Sequence, residues 1–327
     1  MLQQTRVETV IPYFNRFVGR FPTLRELAEA PEEDVLKHWE GLGYYSRARN
    51  LQAAVREVVS EYGAQVPSDK KAVSGLKGVG PYTAGAILSI AYNQPEPAVD
   101  GNVMRVLSRY FLLEDDIARP ATRVGMESLA ASLIPEGEAG DFNQALMELG
   151  AMVCTPKSPS CDECPVVRHC MAREVGRERE LPVKSKAKPP KPVLRVAALV
   201  EGTGRDAGRV LVRQRPGTGL LASMWELPHI ETTDAGVWED VAAAGRLAAD
   251  ALAAEGLRVR PTDHVADAQH VFTHLVWHVR VIGGEPLEEE LRLPDNYRWV
   301  GPEEFESYSW PNVFRKLLTE YYRSRQR

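Results

Sequence analysis

Cysteine is scarce in this chain. Only four of its 327 residues are cysteine, and all four lie between positions 154 and 170. A disulfide framework spread over a small secreted fold is therefore excluded. No apolar run approaches the roughly 20 residues that span a bilayer, and no leader segment opens the chain, so no membrane partner is expected. Excess positive charge is also missing: 40 Lys and Arg stand against 45 Asp and Glu, for a net charge of −5. The chain is not a globally basic nucleic-acid binder, and any such affinity must come from a local basic face. No internal repeat is visible. A hydrophobic share of 44% and a charged share of 26% are ordinary, and the length suits two domains with separate cores.

The four cysteines follow C-x6-C-x2-C-x5-C: Cys154, Cys161, Cys164 and Cys170. Pro156, Pro159 and Pro165 shape the loops between them. Four soft ligands so close together read as one metal site, holding structural zinc or an iron–sulfur cluster. Two local disulfides remain the alternative. The spacing lacks the paired C-x2-C knuckles of common zinc folds, and the choice rests on the sequence upstream.

Upstream, Leu76-Lys77-Gly78-Val79-Gly80-Pro81-Tyr82 takes an apolar helix end through G-V-G into a helix of small residues. Gly78 and Gly80 allow a tight turn and close backbone approach to a ligand. The N–H groups opening the next helix then suit one DNA phosphate. A plain inter-helix turn would look the same. About twenty residues on, Pro97-Ala98-Val99-Asp100-Gly101-Asn102 puts Asp100 at a helix start, where it reads as an N-cap or as a catalytic carboxylate.

Taken together, these segments resemble the helix–hairpin–helix DNA glycosylases, and within them the adenine DNA glycosylase (MutY) family. The matching residues are Met1-Leu2-Gln3-Gln4-Thr5, Gly41-Leu42-Gly43-Tyr44-Tyr45-Ser46-Arg47, the hairpin, the Asp100 segment, Phe142-Asn143-Gln144-Ala145-Leu146 and the cysteine loop. The resemblance covers nearly the whole chain. The resemblance implies a [4Fe–4S] cluster on the four cysteines. It also implies base-excision repair of double-stranded DNA, by hydrolysis of the N-glycosidic bond of adenine mispaired with 8-oxoguanine or guanine. Gln3, Gln4, Thr5, Tyr44, Gly78, Gly80, Gln144 and Lys157 would contact DNA. Of these, Gln4 and Tyr44 would wedge into the duplex, and Gln144 would read the flipped adenine. Asp100, with Asn102 beside it, would stabilise the sugar cation as glycosidase carboxylates do. Bifunctional relatives such as endonuclease III carry a lysine where this chain has Tyr82. A monofunctional enzyme is therefore expected, with Tyr82 supporting the sugar or Asp100 through its hydroxyl.

One family residue has no counterpart. The family's general acid is a glutamate two residues before the methionine of M-L-Q-Q-T, and this chain begins at that methionine. The expectation is a start set too far downstream. The chain as given would then excise slowly, or act as a lesion-binding protein without catalysis. A mismatch or oxidised-pyrimidine glycosylase of the same fold is the other alternative.

The expected fold is an α-helical helix–hairpin–helix domain with its cluster loop over 1–180, a basic Pro/Lys linker over 181–193, and an α+β Nudix-like domain over 194–327. Residues 1–170 read as helical, with a capping box at Thr23 and Glu26 and a helix start at Pro31. A further helix is expected over 46–62. Beyond the linker, strands are expected at 196–200, 210–213, 270–281 and 298–300, and helices at 238–255 and 311–322. The helix over 241–256 lacks the R-E-x-x-E-E set that binds Mg²⁺ in Nudix hydrolases, so a binding domain is expected there. In this family an F-S-H turn reads the 8-oxoguanine; here it is Phe272-Thr273-His274. A monomer is expected, in a bacterial cytoplasm at the nucleoid, because reduced cysteines point to a reducing compartment.

Overall fold

The computed structural model describes residues 1–3, 5–186, 188–288 and 290–325. Gln4 therefore lies outside the described residues. In chain order the helices are α1 (Val7–Arg20), α2 (Leu24–Glu29), α3 (Glu32–Trp39), α4 (Ser46–Glu61), α5 (Lys70–Gly75), α6 (Pro81–Tyr92), α7 (Gly101–Tyr110), α8 (Pro120–Leu133), α9 (Ala139–Glu148) and α10 (Met171–Glu174). Strands β1 (Lys191–Val200), β2 (Val210–Gln214), β3 (Trp225–Glu226) and β4 (His229–Thr232) follow. Then come α11 (Ala235–Glu239), α12 (Val241–Ala254), β5 (Val259–Val271), β6 (Leu275–Pro286), β7 (Tyr297–Val300) and α13 (Asn312–Arg325). Among the described residues no helix is long and apolar enough to cross a membrane.

Local chemistry sets most boundaries. Thr23 and Glu26 close a reciprocal capping box on α2. Asp69 caps α5 through the N–H of Ala72 at 2.9 Å, and Asp100 caps α7. The expected helix over 238–255 is two helices. Asp240 leaves the helical conformation and accepts from the N–H groups of Ala242 and Ala243, ending α11 and starting α12. The expected strand over 270–281 is likewise two strands. The chain reverses at Phe272, whose N–H donates to Leu275 O at 2.8 Å, and Val271 faces Val276 across the β5–β6 pair. Two antiparallel arms share the period of two, so alternation alone did not reveal the turn. The cysteine stretch is also not regular helix. After a π-helical turn at Leu149–Val153 it holds only short 3-10 turns at Cys161–Glu163 and Val167–His169.

The chain forms two compact units. One joins Met1–Gln52 to Lys188–Arg327, and the other is Ala53–Ala187. This division does not follow the linear one expected from the linker, because residues 1–52 make buried polar contacts with the C-terminal part. Glu40, 7% exposed, accepts from Trp310 N at 2.8 Å and from the Arg315 guanidinium. Lys37 bridges Glu40 at 2.9 Å and Tyr308 O at 3.0 Å. A buried carboxylate must be paired, and these partners come from both stretches. Lys191 and Pro192, expected in the linker, already belong to β1.

In the first unit a four-stranded sheet runs β4-β1-β6-β5 and a three-stranded sheet runs β3-β2-β7. β1 and β6 are parallel, and the other pairs are antiparallel. Small residues of α12, Ala244 and Ala248, pack with Val196, Leu211 and Ile282 from the sheets. Glu226 has no exposed surface and is held by Arg213 at 3.0 Å, Arg215 at 2.8 Å and His229 at 2.8 Å, which clamps β2 to β3. In the second unit α7 supplies the centre: Val103, Met104 and Leu107 pack with Met126 and Ala130 of α8.

Candidate active site and cysteine-lined cavity

The second unit holds the hairpin, Asp100 and the cysteines. The hairpin turn has Gly78 at φ +76°, a left-handed conformation that favours glycine. Gly80 precedes α6 without a side-chain cap, and Pro81 opens the helix. A Cβ on Gly85, one turn into α6, would sit 2.0 Å from Pro97 O. Only glycine lets this helix lie directly on the segment leading to Asp100. Asn143, 1% exposed, fixes the same segment: its Oδ1 accepts from Ala98 N at 3.1 Å and its Nδ2 donates to Glu96 O at 2.9 Å.

Both oxygens of Asp100 are engaged. Oδ1 accepts from Asn102 N and Val103 N, each at 2.8 Å, and Oδ2 accepts from Asn102 Nδ2 at 3.0 Å. The capping bonds fix the carboxylate, which lines an open cleft with Gly101 and Asn102. Tyr82 donates to Met147 Sδ at 3.5 Å, and burial followed by the charge of Asp100 raises its pKa. It stays a neutral phenol and a donor at physiological pH.

Arg105 was not singled out in the sequence. Its Nη2 donates to Asn102 Oδ1 at 2.9 Å and to Gly150 O at 2.7 Å, and its Nε donates to Cys154 O at 2.7 Å. One guanidinium thus joins the first cysteine to the amide that holds Asp100. Burial lowers its pKa while Cys154 and Asp100 act the other way; an arginine stays charged regardless. A Cβ on Gly150 would lie 2.6 Å from Asn102 Cβ, so glycine is needed at this crossing too. Arg109 was also missed. It is 1% exposed and donates to Leu181 O at 2.9 Å, Cys154 Sγ at 3.2 Å, Thr155 O at 2.8 Å and Pro156 O at 3.0 Å. The signal available for both was R-x3-R on the helix capped by Asp100, one turn apart on one face.

Cys154, Cys161, Cys164 and Cys170 are free thiols lining one small cavity of about 30 Å³, beside Arg109 and the Arg173–Glu178 pair. Among the described residues no three His, Cys, Asp or Glu side chains form a group that could hold a metal ion. The donor set is all sulfur, which suits either structural zinc or an iron–sulfur cluster. Burial raises the thiol pKa of Cys161 and Cys164.

The other expected site residues are distributed as follows. Gln144 is exposed on α9, its Nε2 donating only to Gly140 O at 3.2 Å, and Lys157 is exposed in the cysteine loop. Gln3 and Thr5 precede α1. In the first unit the structure brings Tyr44 to the expected reading turn: its hydroxyl lies 3.3 Å from Thr273 Oγ1. Tyr44 is 51% exposed with φ +48°, and Arg47 lies over its ring. Phe272 packs edge-on to His270 and Trp277, while Thr273 and His274 are exposed.

A hairpin into a glycine-opened helix, a capping aspartate in a cleft and an α+β second half define a helix–hairpin–helix repair protein with a Nudix-like domain. The family models agree: residues 1–131 match the HhH-GPD superfamily of base excision DNA repair proteins, and residues 201–320 match the NUDIX domain. The chain is 35% identical to the adenine DNA glycosylase of Rattus norvegicus over 98% of its own length and 70% of that protein. It is 34% identical to that of Mus musculus over 100% and 71%. Among solved structures, a thermostable thymine-DNA glycosylase aligns at 29% identity and TM-score 0.48, over 53% of this chain and 80% of that one. The chain belongs to the adenine DNA glycosylase family.

Proposed function

We propose that this chain is a monofunctional base-excision enzyme that hydrolyses the N-glycosidic bond of adenine paired with 8-oxoguanine or guanine in double-stranded DNA. The observation that carries this is the Asp100 carboxylate, fixed through both oxygens in an open cleft. A target nucleotide must leave the stack to reach such a cleft. As the bond breaks, positive charge grows on the sugar, and a carboxylate already held in place stabilises it without reorganising. Asn102 and Arg105 position Asp100. Tyr82 supplies a neutral hydroxyl and no amine, so no Schiff base forms and an abasic site is left. Gly78 and Gly80 open α6 toward a backbone phosphate, Gln3, Gln4, Thr5 and Lys157 add contacts to DNA, and Gln144 offers an amide to the displaced base. Cys154, Cys161, Cys164 and Cys170 would hold a [4Fe–4S] cluster, which gives the loop carrying Lys157 its shape. The functional boundaries expected from the sequence, with 181–193 as the connector, belong to this proposal, as do a monomeric state and a nucleoid location.

The test is release of free adenine from a duplex with adenine opposite 8-oxoguanine, with borohydride present. Adenine should appear and no covalent protein–DNA adduct should accumulate. A trapped adduct in good yield would refute the monofunctional assignment of Tyr82, and absence of adenine release by the 327-residue chain would refute its reading as an enzyme.

Recognition of the opposite base is assigned to Phe272, Thr273 and His274, with Tyr44 beside them as a wedge. Thr273 keeps the hydroxyl donor and acceptor of the family's serine and adds a methyl group. Thr273→Ala should reduce the preference for 8-oxoguanine over guanine by roughly tenfold, the worth of about one hydrogen bond to a polar partner. Parallel binding titrations on the two duplexes measure it, and an unchanged ratio would remove Thr273 from the recognition set.

A further inference from the structure

The turn between β5 and β6 has little local reason to hold one shape. Phe272 N donates to Leu275 O at 2.8 Å, which leaves Thr273 and His274 enclosed. Short hairpin loops favour Gly, Asn or Asp, because the turns that match strand twist need left-handed residues. Neither enclosed residue is of these types, and neither has a positive φ. The anchors therefore lie outside the turn. Lys191 N donates to His274 O at 2.9 Å, and the Tyr44 hydroxyl lies 3.3 Å from Thr273 Oγ1. The third anchor is aromatic. The Phe272 ring packs edge-on to His270 and Trp277, with centroids 4.5 and 4.9 Å apart.

Trp277 is fully buried on β6, paired with His270 of β5 and Val193 of β1. A buried indole N–H usually finds a hydrogen bond; among the described residues that of Trp277 has none. The ring is used for its face and edge. Arg195 Cζ stands 4.2 Å from its centroid and Arg215 Cζ 5.9 Å, and indole is the best ring for a cation. His229 meets it edge-on at 5.4 Å and stacks on Phe314 at 5.4 Å. His229 is locked in turn. Arg195 Nη1 lies 3.1 Å from its Nδ1, and a guanidinium only donates, so Nε2–H points at Glu226 Oε2, 2.8 Å away. The buried Glu226 carboxylate thus fixes His229 and Arg215 beside one indole, and that indole carries Phe272.

We propose that Trp277 is a positioning residue for recognition of the opposite base. Held by Arg195 and His229, it fixes Phe272 and with it the orientation in which Thr273 and His274 meet that base. The inference rests on the assignment of Phe272–His274 as the recognition turn. Guanine and 8-oxoguanine differ only by an oxygen added and a proton moved on the five-membered ring. Groups that tell them apart must be held to within about 0.5 Å. A turn fixed before DNA arrives meets that demand and avoids the cost of ordering it on binding.

The experiment compares affinities of the 327-residue chain for two duplexes, one with adenine opposite 8-oxoguanine and one with adenine opposite guanine. Trp277→Leu should lower the preference for 8-oxoguanine roughly tenfold, the worth of about one hydrogen bond. Trp277→Phe keeps an aromatic face and should hold the preference within about threefold of the parent. Arg195→Met removes the cation above the ring and should lower the preference by about threefold. Thermal melts accompany each variant, and Arg195→Met decides the matter if the Trp277→Leu protein does not fold. Equal loss of affinity for both duplexes would make Trp277 a core residue only and overturn the proposal. So would an unchanged ratio in both Trp277→Leu and Arg195→Met. Thr273→Ala, measured in parallel, separates the two assignments. A ratio that falls with Thr273→Ala alone sinks the positioning role and leaves the turn as reader, whereas a ratio unmoved by all of these changes removes the turn as reader as well.

Discussion

Replacing Asp100 with asparagine should lower the single-turnover rate of adenine release roughly 1000-fold while leaving the fold intact. The two halves of that expectation have separate causes. Asparagine caps a helix about as well as aspartate, and its oxygen can still accept from Asn102 N and Val103 N, so α7 keeps its start. The charge is lost, however, and with it the electrostatic stabilisation of the sugar cation, for which mutational losses of about 10² to 10³ are typical. A second penalty follows from the hydrogen-bond pattern. Asp100 Oδ2 now accepts from Asn102 Nδ2, while Asn102 Oδ1 accepts from Arg105. The new amide would turn a donor toward a donor, and Asn102 cannot flip without abandoning Arg105. Rapid-quench assays with enzyme in excess, together with a thermal melt, check both halves. A variant that excises within tenfold of the parent would show that Asp100 is a cap and nothing more. A melting temperature lowered by more than about 5 °C would instead mean that the charge supports the fold.

Local patterns were legible in the sequence. The hairpin turn and the capping aspartate, each written in fewer than about twenty consecutive residues, appear in the structure as expected, and the four cysteines line one cavity. Asp100 was legible as a helix cap because capping asks for a short acceptor side chain at that place. Arg105 and Arg109 were not, because most of their partners are backbone carbonyls of residues 150–156 and 181, which any sequence supplies. The turn at Phe272–His274 was recognised as a motif but was also read as part of one strand, since alternation continues across a tight reversal. The split of α11 from α12 turns on one residue, Asp240, whose capping role competes with an otherwise unbroken helical pattern. The grouping of residues 1–52 with the C-terminal part depends on Glu40 and its partners 270 to 275 positions away, a separation at which no local pattern operates.

Arg105→Met should cost at least about 100-fold in excision rate, and the loss should appear in the chemical step more than in DNA binding. The Arg105 side chain touches both the Cys154 backbone and the amide holding Asp100. Methionine matches much of its apolar stem but has no donors, so Gly150 O, Cys154 O and Asn102 Oδ1 lose a charged partner together. Hydrogen bonds to charged groups contribute about 1.5 to 3 kcal/mol each, and buried acceptors left unmade add to the loss. Freed from Arg105, Asn102 can rotate, and Asp100 loses the hydrogen bond on Oδ2. A misplacement of about 1 Å at a reacting centre costs on the order of 10² in rate. Arg105→Lys should recover part of the loss, because one ammonium can reach one or two of the three acceptors but cannot span them in a plane. Iron content separates positioning from collapse. If the four thiols of the Arg105→Met protein still bind a full complement of iron and the duplex affinity stays within about fivefold, the lost rate reports on Asp100 geometry. Full iron with an unchanged rate would refute the link between the cysteine loop and the carboxylate, and loss of iron in parallel with activity would make Arg105 a structural support of the loop instead.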